Sequence, residues 1–88
     1  MPTWPTRRIR RAVIQAIAGC GGAVPPNVGD DNTVGDFFPG ARDLSPAVKG
    51  CITAQIKRRC ELEEFWWPRE VSTTIARLIM FVRAFQSP

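Results

Sequence analysis

Arg7, Arg8, Arg10 and Arg11 crowd into one short stretch, and Lys57, Arg58 and Arg59 follow one another directly. Cations at that density can neutralise phosphates, and Arg77 adds another near the C-terminus. With Thr73, Thr74 and Arg77 at the head of an apolar-periodic segment, they outline a small basic DNA-binding protein that would use its C-terminal helix. The plainer alternative is that these charges are solvated helix faces. The formal net charge is +4, and the acids gather separately, at Asp30, Asp31 and Asp36 and at Glu61, Glu63 and Glu64.

Phe65-Trp66-Trp67 is the most unusual local feature. Large rings close small cores, and tryptophan is also enriched among interface hot spots. Two adjacent residues at a helix end seldom point the same way, so one tryptophan is expected to be buried and the other partly exposed. Ser45-Pro46 reads as a helix start, with serine as the cap and proline at the first helical position.

The chain has no histidine, which removes the commonest general base and the commonest zinc ligand together. No serine or threonine has an evident base, and no glycine loop suited to phosphate is present, so the chain is expected not to be an enzyme. Asp30, Asp31, Asn32 and Asp36 lack the alternating spacing and the terminal glutamate of a calcium loop and read as turn formers; no metal is expected. Cys20, Cys51 and Cys60 cannot all pair within one chain. Reduced thiols in a cytoplasmic protein are the expectation, with Cys51 and Cys60 filling the core.

Positioning these residues requires helices. Eighty-eight residues, 44% hydrophobic and 23% charged, make one domain with one core. The expected domain is 1–88, with 1–5 and 86–88 as flexible tails. Ile9, Val13, Ala16 and Ile17 predict a first helix from a Thr6 cap to about Ala18, stopped by Gly19, Gly21 and Gly22. Its basic start and apolar continuation superficially resemble a signal peptide, but Gln15 interrupts a short run and an amphipathic helix is the better reading.

Between 23 and 44, prolines, glycines and aspartates predict a long loop anchored by Val34, Phe37 and Phe38, with a short helical turn within 32–38. The second helix should run from Ser45-Pro46 to about Glu63 on a stripe of Val48, Cys51, Ile52, Ile56 and Cys60, with Gly50 marking close packing. A third, capped by Ser72 or Thr73, should carry Ile75, Leu78, Ile79, Val82 and Phe85. Met80 and Phe81 lie partly off that stripe, which predicts burial on two sides. No apolar run reaches the roughly 18 residues needed to cross a bilayer.

This order of segments resembles an acyl or peptidyl carrier domain. Asp43-Leu44 before the second helix is similar to the family's Asp-Leu-Gly element, and Leu62-Glu63-Glu64-Phe65 with Pro68 resembles the end of its second helix. Residues 72–82 resemble its closing helix, where a threonine caps an apolar segment. The resemblance implies an all-α bundle of three to four helices and a carrier or protein-interaction role.

The family's Asp-Ser-Leu, whose serine receives phosphopantetheine, is absent as such. Aligned on Asp43-Leu44, the serine position falls near Val48, and no arm would be carried; counted from Phe37, it falls on Ser45. The family's second helix is acidic, whereas Lys49, Lys57, Arg58 and Arg59 make this one basic and imply an acidic partner or one of another kind. The partner surface is expected at Val48 and Lys49 and at Phe65, Trp66 and Trp67.

Overall fold

A computed structural model describes residues 4–86. The first stripe forms α1, Thr6–Gly19, which buries Ile9, Ala12, Val13, Ala16 and Ile17. Pro5, not Thr6, is its N-cap, and the Thr6 hydroxyl is taken by the Arg83 guanidinium. Two glycines end α1 as expected: the Gly21 amide donates to the Ala18 carbonyl and the Gly22 amide to that of Ile17. Gly21 has φ +100°, which would strain any side chain, and a Cβ on Gly22 would lie 2.9 Å from the Ile17 oxygen, so both positions favour glycine, for different reasons.

Of the expected tails, 1–3 and 87–88 lie outside the described residues. The rest of the tail expectation is corrected. Trp4 is half-buried against the core and its carbonyl accepts from Arg83 at 3.1 Å, while Gln86 is the last residue of α3.

The second helix, α2, spans Pro46–Arg59, with Ser45 Oγ accepting from the Val48 amide at 3.2 Å. It stops short of Glu63 because Glu61 turns left-handed, φ 56°, letting the Glu61 and Leu62 amides close onto the Arg58 and Lys57 carbonyls. This is the same closure that glycine gives α1, made here without glycine. Inside the helix only Ile52 and Ile56 are fully buried, with Cys60 at its end; Val48 and Cys51 are half-buried. Lys57, Arg58 and Arg59 occupy its last turn, where positive charge complements the helix dipole.

Gly50 does not mark close packing, since a Cβ there would meet nothing within 4 Å. Gly50→Ala should therefore raise the unfolding free energy by about 1 kcal/mol, measured in urea, because alanine restricts the unfolded chain and fits the helix. An unchanged or lower midpoint would show that the open space is filled.

The third helix, α3, spans Ile75–Gln86 and buries Ile75, Leu78, Ile79 and Val82. Its cap is Thr74, whose Oγ1 accepts from the Arg77 amide at 3.1 Å. The expected caps differ: Ser72 is exposed, and Thr73 is buried with its carbonyl taken by Val34. The amides of Ile75 and Ala76 donate to the Asn32 and Asp30 carbonyls, so the long loop stops the start of α3. Thr33 and Thr74 form an isolated antiparallel bridge at the same place, and no named strand occurs among the described residues.

The loop is held by the anchors expected of it. Val34 and Phe37 are buried within a 3-10 turn, Val34–Phe37, and Phe38 packs half-buried beside them. Thr33 and Asp36 cap the turn reciprocally. The architecture is thus an all-α bundle of three helices plus this turn, with α1 packed on both α2 and α3 and the 60–74 connector laying Phe65 and Trp67 into the same core.

Cys20 and Cys51 form a disulfide, with Cα atoms 5.9 Å apart. The expectation of three reduced thiols is thereby corrected: the end of α1 meets the second turn of α2 there, and only Cys60 is free. Cys51 is accordingly a half-buried staple, not a core filler.

Candidate functional site

The two tryptophans part at Phe65–Pro68 as expected. Trp67 is fully buried, and its indole N–H donates to Thr53 Oγ1 at 2.8 Å; Thr53 in turn donates to the Lys49 carbonyl at 2.9 Å. The ring therefore fastens the connector to the middle of α2. Trp66 faces away, 56% exposed, with its ring edge-on to Phe81 at 5.6 Å between centroids.

Phe81 belongs to α3, and so do Met80, 68% exposed, and Phe85, 38% exposed. The predicted burial of α3 on two sides is therefore wrong, and Phe85 is only partly covered. Positions 77, 81 and 85 follow one another at helical spacing; Arg77 stands 6.0 Å over the Phe81 ring, and Phe85 meets the buried Phe65 edge-on at 5.7 Å. The result is an outward aromatic face made of Trp66 and α3, with one arginine on it.

The residues expected to form a partner surface are dispersed by this packing. Phe65 and Trp67 are core residues. Val48 is half-buried at the start of α2, and Lys49 is engaged by Asp43 at 3.4 Å. Only Trp66 of that set presents a large apolar surface. Met80, Phe81 and Phe85 were missed as surface residues, although the position of Met80 and Phe81 off the buried stripe was the available signal. That offset fits an outward face as well as a second buried one.

The basic residues divide similarly. Arg10 is withdrawn from the cluster by a two-point bond to Asp30, 2.6 and 3.0 Å, which holds the Asp30 carboxyl below its ordinary range. Arg7, Arg8 and Arg11 are exposed on α1. Arg59 reaches across from α2 to Gln15 at 3.3 Å, so the two basic segments share one side of the molecule. Arg77 stands with the aromatic face instead.

The remaining candidates have structural partners. The Ser45 hydroxyl accepts from the Val48 amide, as a cap does. Asp36 accepts from the Thr33 amide and the Asn32 side chain, which hold its carboxyl below the usual range. Among the described residues no group of three or more metal-binding side chains occurs. Burial pushes the Cys60 thiol up to about 11, against the opposing field of Arg8, so it stays protonated and weakly nucleophilic at neutral pH.

No helix among the described residues is long and apolar enough to cross a membrane. Compared with protein-family models, with curated proteins and with solved structures, the chain matches none of them.

Proposed function

We propose that the chain is a non-enzymatic protein-interaction module on a carrier-type helical bundle, docking through Trp66 and the outward face of α3. The observation that carries this reading is the division of labour between adjacent tryptophans. Trp67 supplies the buried ring that joins the connector to α2, whereas Trp66 leaves more than half its surface in water edge-on to Phe81, and Met80, next to Phe81 in the chain, is exposed on the same helix. An exposed indole edge-on to a half-buried ring, with a flexible thioether exposed on the same helix, is the kind of surface that partners cover.

A carrier-type ancestry is supported by the element order and by Asp43-Leu44 ahead of α2. In this reading no phosphopantetheine is attached, because the Ser45 hydroxyl serves as a cap and lies outside an Asp-Ser-Leu context. Incubation with a phosphopantetheinyl transferase and coenzyme A should leave the intact mass unchanged. The cytoplasmic assignment rested on reduced thiols, and the Cys20–Cys51 bond removes that support; a paired disulfide suits an oxidising compartment better.

Trp66→Ala is the direct test. Its thermal stability should fall by roughly 1 kcal/mol or less, since only an exposed ring pair is lost. Binding to a protein captured from the native cells and then purified should weaken about 30-fold or more, the equivalent of a 2 kcal/mol hot spot. Equal affinity of both proteins for every captured partner would defeat the reading.

A further inference from the structure

We infer that the exposed arginines of α1, together with Arg59 at the end of α2, form a ridge that binds the sugar-phosphate backbone of a nucleic acid without reading its sequence. The ridge is separate from the Trp66 face and stands on different observations. Arg59 crosses between helices to Gln15, 44 positions away in the chain, and lies 3.9 Å from where a Cβ of Gly19 would be. Small residues and a glutamine at the helix contact thus leave room for a guanidinium to lie along α1. At the other end of that contact, the charge of Arg8 is felt at Cys60, which closes α2. Arg7, Arg8 and Arg11 then line the exposed side of α1, successive turns being about 5.4 Å apart.

The protein does not neutralise this charge itself. Its ion pairs among the described residues are Arg10 with Asp30 and Lys49 with Asp43. Glu61, Glu63 and Glu64, the acids closest in sequence to Arg59, are exposed and form no ion pair with it.

The placement also runs against local helix stability. The first turn of α1 has no acidic residue and carries two arginines at the end where the helix dipole is positive. Arg10, one position from Arg11, shows the alternative, because its charge is paired with Asp30 through two hydrogen bonds.

Arg8 is also held in place. Its guanidinium carbon lies 3.6 Å over the centre of the Trp4 ring, a cation–π contact that holds the charge at the start of α1. A guanidinium fixed at one place on the ridge suits phosphate bonding. An extended polyanion fits a row of four separated guanidinium groups better than a single small anion, which could touch only one or two.

The test is fluorescence anisotropy of a labelled mixed-sequence DNA duplex over about 25 to 200 mM salt. Four phosphate contacts should give a slope of log affinity against log salt of about −3.6, and a scrambled duplex should bind equally. Arg8→Gln/Arg11→Gln/Arg59→Gln should reduce the slope by about 2.7, with an unchanged circular dichroism spectrum. Arg42→Gln, in the loop before α2, should leave the slope as it is. Absence of binding at the lowest salt, or an equal slope in the triple variant, would overturn the inference. So would binding confined to phosphatidylglycerol vesicles, which would make the ridge a membrane contact. None of these outcomes alters the Trp66→Ala result, so the two proposals fail separately.

Discussion

Trp67→Ala is expected to destabilise the fold by roughly 3 to 5 kcal/mol, the usual range for removing a fully buried large ring. Domains of this size have only about 5 to 10 kcal/mol in total, so the variant should be partly unfolded near 37 °C. The loss has two sources. The ring leaves a cavity among core side chains, and Thr53, whose hydroxyl accepts the indole N–H at 2.8 Å, loses the partner that ties the connector to α2. Thr53→Val separates them: it keeps the ring and strands its N–H, and should cost about 1 to 3 kcal/mol. Urea unfolding followed by circular dichroism measures both. A Trp67→Ala midpoint matching that of Trp66→Ala would mean that the two rings do not divide core and surface between them.

Loss of the Cys20–Cys51 bond should have an effect of similar size. Its ring closes a separation of 31 residues, for which restriction of the unfolded chain alone corresponds to about 3 to 4 kcal/mol. In a domain of this length that is a fall of roughly 15 to 25 °C in Tm. The consequence is greatest for α2, which contributes only Ile52 and Ile56 as fully buried residues along its length. Cys20→Ala/Cys51→Ala should therefore melt well below the wild type, and a reductant should lower the wild-type Tm but not that of the variant. Titration of thiols in denaturant without reductant should find one per chain, Cys60. Three reactive thiols in protein purified under air would refute the bond.

The three helices were legible because each carries an apolar stripe at helical spacing, and Ser45-Pro46 marked the start of α2 without ambiguity. The end of α2 was not, because its termination depends on Glu61 adopting a conformation that sequence patterns associate with glycine. The cap of α3 was misplaced by one or two positions for a related reason. Three hydroxyl residues stand in a row, and the choice of Thr74 is made by the loop, whose Asn32 and Asp30 carbonyls take the next two amides.

The candidate site was only half visible. Adjacent tryptophans announced that one would face out, but the residues that join Trp66 come from α3, and a stripe with two apolar residues beside it reads as burial when no neighbouring element is known. Likewise, three cysteines do not say which two meet. Cys51 lies on an apolar stripe, where a thiol is as well suited to packing as to bonding, and only the approach of the end of α1 decides between them. Arg10 shows the same limit in the charge pattern, since a loop twenty positions away removes it from its cluster.

The covalent ring from Cys20 to Cys51 encloses the whole proline- and glycine-rich stretch between α1 and α2. A protease cut anywhere inside it would open the backbone yet release no fragment. The most irregular part of the chain is thus also the part where a nick leaves a single molecule, its first two helices still joined through sulfur.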